Sequence, residues 1–232
     1  MRAHSPATID VVVFDVLGTM VDEPGGQRAA LREVAPDADD AAIERWLALW
    51  RDHVDREQQH ILTGHRPFAT TDVIDREAAA LVAEHAGRPE APIIDRLAAA
   101  GRHLDPWADS AAELARLSGR FPVVGLSNAS RTTLLHLNAH AGLSWHAALS
   151  AEDVQTYKPA VEVYRQAIDV AGCPPERILM VAAHAWDLRG AQAAGMRTAY
   201  VPRPVGDPPT DSDTFDWTTG SLSELISDLM RS

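Results

Sequence analysis

Apolar residues along this chain fall into two kinds of run. The short ones, Ile9–Phe14 (IDVVVF), Phe121–Leu126 (FPVVGL), Ile178–Ala182 (ILMVA) and Thr198–Val201 (TAYV), alternate too little for half-exposed strands. They predict strands buried on both faces of a parallel sheet. The three later runs each follow a helical segment, and helix, short strand, turn is the rhythm of a doubly wound α/β sheet. Ligands of such sheets gather just past the carboxyl ends of the strands.

Between about Pro24 and Pro106 the pattern is helical, with no convincing strand. One helix opens near Asp39, carries Ile43, Trp46, Leu47, Trp50 and Val54 at three- and four-residue spacings, and fades by Gly64 before Pro67. A second runs over Thr71–His85, closed by Gly87 and Pro89, and a third over Ile93–Leu104. This stretch reads as a helical unit inserted into the α/β rhythm. Pro202–Asp213 reads as a surface loop and Leu222–Met230 as a final helix. There is no internal repeat and no low-complexity tract.

Composition narrows the partners. With 21 Lys and Arg against 33 Asp and Glu, the formal charge of −12 repels phosphate backbones and anionic lipid. Neither nucleic acid nor membrane is an expected partner, and no apolar stretch approaches the ~20 residues of a membrane span. Met1–Ile9 has no apolar leader core. The single cysteine, Cys173, can form no internal disulfide, so a reducing cytoplasm is the simplest compartment.

Four sites at strand and helix boundaries carry candidate chemistry. Asp15 follows the first strand in Asp15-Val16-Leu17-Gly18-Thr19, and Leu126-Ser127-Asn128 ends the second. Tyr157-Lys158-Pro159 opens a helix, and His184-Ala185-Trp186-Asp187 follows a later strand. A carboxylate at a sheet mouth is costly unless bonded or used. In this order and spacing the sites resemble the haloacid dehalogenase superfamily, and the resemblance covers nearly the whole chain. It implies a Rossmann-like core over residues 1–22 and 106–232 and a helical cap over 23–105. It also implies Asp15 as nucleophile, with Ser127, Lys158 and Asp187 around the reacting groups.

Two departures set the expected reaction. Phosphatases of the superfamily carry a second Asp two residues after the nucleophile to protonate an alkoxide leaving group; here it is Leu17. They also hold Mg²⁺ with acids from the last motif, where this chain has Ala183. A halide leaves without a proton, and both departures are similar to the L-2-haloacid dehalogenase branch, which uses no metal or other cofactor. Asn128, Tyr164, Trp186 and the Leu49-Trp50-Arg51 stretch match that branch. The resemblance implies hydrolysis of a short 2-haloacid through an ester on Asp15. Lys158 would help keep Asp15 ionised, Asp187 would orient Lys158 and help activate water, and Ser127 would hold the substrate carboxylate. Arg51 and Asn128 would receive the halide, with Thr19, Tyr164, His184, Trp186 and Phe68 completing the substrate and halide site. The branch usually has Ser and Asn at the positions of Ala182 and His184, and these replacements suggest a pocket for small haloacetates, fluoroacetate included. Dimers occur among similar enzymes, which leaves a homodimer open. The rivals are a metal-dependent phosphatase of the same superfamily and a non-catalytic binding protein on the same fold.

Plainer roles compete at several positions. Trp46 and Trp50 suit helix packing, His53, His60 and His65 a solvated face, and Arg51 an ion pair with Asp55. Asp22-Glu23 reads as a hinge, Cys173 as structural and Asp10 as a strand-start charge.

Overall fold

The computed structural model describes residues 8–231. The leader reading over Met1–Ile9 therefore falls mostly outside the described residues. Among these, β1 (Val11–Asp15), β2 (Val123–Ser127), β3 (Ala147–Ser150), β4 (Ile178–Ala182), β5 (Arg197–Tyr200) and β6 (Trp217–Thr218) form one parallel sheet in the order β3-β2-β1-β4-β5-β6. The doubly wound reading holds. Chain order runs outward in both directions from β1, so the switch point lies at its carboxyl end, between β2 and β4.

The apolar runs read as central strands because both faces are covered. In β1 and β4, Val12, Phe14, Leu179 and Val181 pack with α5 (Ser110–Ser118), α6 (Arg131–Ala141) and α9 (Leu222–Arg231). Val11, Val13, Ile178 and Met180 pack on the opposite face with α7 (Val161–Ala171) and α8 (Ala185–Ala193). A third apolar cluster, including Leu31, Ile43, Leu47, Trp50, Val82 and Leu97, comes wholly from α1 (Glu23–Val34), α2 (Asp40–Leu62), α3 (Thr71–His85) and α4 (Ala91–Ala98).

The sequence pattern omits β3, β6 and α1. The third inserted helix is also shorter than expected: α4 ends at Ala98, and a 3-10 turn, Ala100–His103, replaces its predicted last turn. α1 forms despite Pro24, Gly25 and Gly26. Asp22 caps it by accepting the Gly25 N–H at 2.9 Å, and Pro24 sits in the first turn, where no N–H partner is needed. Among the described residues, no helix is long and apolar enough to cross a membrane.

Candidate functional site

Asp15 ends β1 at the switch point and is 6 % exposed. Its Oδ1 accepts from Lys158 Nζ at 2.9 Å, and its Oδ2 from Thr19 Oγ1 at 2.7 Å and His184 Nδ1 at 3.2 Å. Thr19 cannot rotate away, because its hydroxyl also accepts the Ala183 N–H at 2.9 Å. The turn between Asp15 and Thr19 uses Gly18 at φ 75°, where a Cβ would lie 2.6 Å from His184 Cε1. Glycine is required there both by the left-handed backbone and by the imidazole beside it.

Lys158 is 3 % exposed and bridges two carboxylates, reaching Asp187 Oδ2 at 2.7 Å. Its backbone N–H donates to Asn128 Oδ1 at 2.9 Å, which ties the lysine loop to the end of β2. Asp187 comes from the first turn of α8, which begins directly after His184. It is fully buried and accepts the Tyr164 hydroxyl on Oδ1 at 2.6 Å. Gly190, one turn on, lets Tyr164 approach: a Cβ there would lie 2.4 Å from its hydroxyl oxygen.

The electrostatics follow from three buried charges sharing one place. Burial alone would raise the Asp15 pKa, but the Lys158 charge, His184 and the Thr19 hydroxyl hold it well below the usual carboxylate range. Burial pushes Asp187 up, opposed by Lys158 and reinforced by the Asp15 charge. Burial pulls Lys158 down, yet the two carboxylates more than reverse this and it stays above its ordinary value. The His184 ring, lowered by burial, is likewise raised overall by its bond to Asp15 and by the negative charge there. The arrangement is an ionised carboxylate with one oxygen on the Lys158 ammonium and the other on the His184 ring.

Beside Asp15 a cavity of about 290 Å³ opens. Of the residues expected at the site, Asp15, Arg51, Asn128, Lys158, His184 and Trp186 line it. Thr19 and Asp187 bond to Asp15 and Lys158 without lining it. Ser127 is fully buried at the end of β2, its hydroxyl accepting the Ala129 N–H at 3.1 Å. Ser127 does not line the cavity either, and two further expected substrate contacts, Tyr164 and Phe68, also sit elsewhere. The Tyr164 hydroxyl is committed to Asp187, and the Phe68 ring packs 5.5 Å from Tyr157 against the sheet-face core. Arg51 makes no ion pair with Asp55 among the described residues; both line the cavity.

Sequence reading missed Glu23 and Gln27 of α1, Gln58 of α2 and Asp75 of α3 on this wall, and Val205, Gly206 and Asp207 of the loop after β5. Glu23, read as part of a hinge, faces this cavity. The signal available was the four-residue spacing of Glu23 and Gln27, which puts both on one helical face. Asp75 is fixed by the Trp50 indole N–H at 3.1 Å, and burial pushes its pKa up to about 7. Trp50 thus serves the helical core and the cavity together.

A divalent cation suits this donor set poorly. Both Asp15 oxygens already face hydrogen-bond donors, the Lys158 ammonium among them, and Leu17 and Ala183 supply no side-chain oxygen where further acids would be needed. Among the described residues, no group of three or more His, Cys, Asp or Glu side chains is arranged to hold a metal ion.

Fold and site together define a Rossmann-like α/β protein with a buried carboxylate–ammonium–carboxylate constellation at the sheet mouth. A family model described as haloacid dehalogenase-like hydrolase matches residues 9–195, and the chain belongs to that family. An (S)-2-haloacid dehalogenase of Pseudomonas putida is 30 % identical over 210 residues, covering 85 % of this chain and 86 % of that protein. One from Pseudomonas fluorescens is 35 % identical over 113 residues, a match that spans 47 % of this chain and 50 % of the relative's length. Among solved structures, a defluorinating L-2-haloacid dehalogenase has a TM-score of 0.87 at 29 % identity, covering 97 % of this chain and 98 % of that one. The L-2-haloacid dehalogenase of Xanthobacter autotrophicus with chloropropionic acid covalently bound has a TM-score of 0.82 at 25 % identity, covering 97 % and 99 %.

Proposed function

We propose that the protein is a hydrolytic dehalogenase converting short 2-haloalkanoic acids, haloacetates among them, to 2-hydroxy acids and halide. The observation that carries this reading is Asp15 itself: an ionised carboxylate open to a cavity, with Leu17 where a phosphatase needs a proton donor. An Asp15 oxygen attacks the halogen-bearing carbon from behind, the C–halogen bond breaks with its electron pair on the halide, and an ester joins substrate to enzyme. Water then adds to the Asp15 carbonyl carbon, and the ester C–O bond on the enzyme side breaks to release the 2-hydroxy acid.

In this reading Lys158 keeps Asp15 anionic, Asp187 positions Lys158, and Ser127 holds the substrate carboxylate. Arg51, on α2, and Asn128 take the halide, with Trp186 beside it, while Thr19 fixes the second Asp15 oxygen. Preorganised donors of this kind are worth ~3–4 kcal/mol each in rate. His184 lies on Asp15 and is suited to accept the proton of the attacking water once the ester has neutralised that carboxylate. Tyr164 acts through Asp187, and Phe68 through packing. Residues 23–105 serve as a cap over a core of 1–22 and 106–232, and the protein works in the cytoplasm. A defluorinating neighbour supports fluoroacetate as a substrate.

Halide release from chloroacetate, bromoacetate and fluoroacetate, with and without chelator, tests the proposal. Release unaffected by chelator is expected. Phosphate ester hydrolysis that needs added Mg²⁺, with no halide released, refutes it. Single turnover in ¹⁸O water is expected to place label in Asp15.

A further inference from the structure

The turn that carries the nucleophile is held from behind by groups outside the cavity. Two of its carbonyls have side-chain donors: Gly18 O accepts the Trp107 indole N–H at 3.0 Å, and Thr19 O accepts from Arg203 Nε at 2.8 Å. Arg203 follows β5; its side chain is 8 % exposed, and its Nη1 donates to Asp109 Oδ1 at 2.7 Å. The guanidinium carbon lies 5.9 Å from the centre of the Trp107 ring. One arginine thus ties the Asp15–Thr19 turn to the segment leading into α5. Two acceptors on one planar head group fix its orientation as well as its position.

Four residues on, the same loop holds the other side of Asp15. The Asp207 N–H donates to Ala183 O at 2.9 Å, and Asp207 O accepts the Ala185 N–H at 2.8 Å. Both peptide groups flanking His184 are therefore fixed on Asp207, whose Oδ2 also accepts the Trp186 N–H at 3.1 Å. Gly206 permits the close approach, since a Cβ there would lie 2.4 Å from Ala183 O. The two holds meet at Thr19. Its carbonyl is on Arg203, while its hydroxyl accepts the Ala183 N–H at 2.9 Å and donates to Asp15 Oδ2 at 2.7 Å.

We propose that Arg203 is a positioning residue for the nucleophile: through the Thr19 carbonyl it sets the Thr19 hydroxyl, and with it the direction in which Asp15 presents its carboxylate to the cavity. The proposal rests on the dehalogenation proposed above and adds a residue to its machinery. Attack from behind the carbon–halogen bond needs an oxygen held on one line, and a displacement of about 1 Å costs on the order of 100-fold in rate. Among the described residues, Thr19 and His184 alone bond to Asp15 Oδ2, and the loop after β5 stands behind both. Arg203 does not line the cavity, so substrate contacts survive its loss. Its removal lowers kcat and leaves KM near the parent value.

The test measures chloride release from chloroacetate in Arg203→Gln, Arg203→Lys, Thr19→Val and the double variant Arg203→Gln/Thr19→Val, with thermal melts establishing that each is folded. Arg203→Gln should lose at least tenfold in kcat with KM within twofold of the parent, and Arg203→Lys, which keeps a donor for the Thr19 carbonyl, should recover most of the loss. The double variant should lie within threefold of Thr19→Val alone, because both changes remove one hold. Unchanged kcat in Arg203→Gln, or losses that multiply in the double variant, overturn the proposal. Hydrogen exchange at the Ala183 amide reads the same coupling without turnover. It should quicken at least tenfold in Arg203→Gln while the amides of β2 keep their rates, and an unchanged Ala183 rate overturns the proposal. Asp109→Ala, which removes the second anchor of Arg203, should reproduce both effects at threefold or more; it stands in for Arg203→Gln if that variant does not fold, and no effect in it is then decisive against the proposal. If the parent protein releases no halide, the dehalogenation reading falls, and the exchange rates alone decide whether Arg203 sets Thr19.

Discussion

Replacing Lys158 by methionine keeps most of the unbranched side chain and deletes the charge between Asp15 and Asp187. The ammonium lies 2.9 Å from one carboxylate and 2.7 Å from the other. Asp15, Lys158 and Asp187 are 6, 3 and 0 % exposed, so bulk solvent screens the loss of the charge only weakly. Removing one partner of a buried ion pair costs about 3–5 kcal/mol, and an ammonium serving two carboxylates belongs in the upper part of that range. The loss should depend on pH. Asp15 keeps Thr19 and His184, whereas Asp187 keeps only the Tyr164 hydroxyl, so Asp187 is the group left uncompensated. Its folded pKa already lies above the unfolded value, and losing Lys158 raises it further. The folded variant then holds a proton that the unfolded chain releases above pH ~4, and its stability falls as pH rises from there. In the parent protein, Asp15 has the opposite sign: its depressed pKa gives stability that is present above pH ~4 and lost on acidification. Urea unfolding of both proteins at pH 5 and pH 8 measures the difference. The variant should be more destabilised at pH 8 than at pH 5 by at least ~1.4 kcal/mol, the equivalent of one pKa unit. A loss below about 1 kcal/mol that is equal at both pH values would refute the charged constellation.

Asp75, with its pKa pushed up to about 7 by burial from an ordinary value of 3.8, holds a proton in the folded state that the unfolded chain releases. Its contribution is complete below the unfolded value and fades as pH rises towards 7, so Asp75→Asn should flatten the fall in melting temperature between pH 4.5 and about 7.5. An unchanged slope would show that Asp75 stays ionised. Gly18→Ala adds a Cβ at φ 75°, 2.6 Å from His184 Cε1, and should cost about 1–2 kcal/mol in backbone strain alone. It should also swing the ring off Asp15, so that the His184 titration followed by NMR falls towards the ordinary imidazole value; a titration that stays raised would contradict the contact.

The central strands were legible because burial on both faces leaves no alternation to confuse the period. β4 coincides with its apolar run, and the other three predicted strands differ from the observed β1, β2 and β5 by one or two residues at their ends. β3, with the sequence AALS, lacks the β-branched signal and has a half-exposed burial pattern, and β6 is only two residues long at the sheet edge. α1 was hidden for a local reason: Pro24-Gly25-Gly26 has the composition of a turn, and only its position against Leu104 and the inserted helices makes it helical. A Cβ on Gly26 would lie 2.4 Å from Leu104 Cδ2. There the packing requires the residue that propensity disfavours.

The same division separates the two halves of the site. Asp15, Ser127 and Asp187 are fixed by strand ends and the turns that follow them, so short windows of sequence locate them, and β1 pairing with both β2 and β4 brings them together. Thr19 and Tyr164 were also found, but their expected role at the substrate gave way to supporting bonds on Asp15 and Asp187, because a buried carboxylate claims the nearest hydroxyl. The opposite wall has no such address. Glu23, Gln27, Asp55 and Asp75 stand on three helices, and each by itself has the spacing of an ordinary solvated helical face. Polar residues on a helix imply water only while nothing covers that face, and packing α1, α2 and α3 around one cavity turns these into an interior surface. That surface can change without disturbing the nucleophile, because none of these four side chains bonds to Asp15, Lys158 or Asp187.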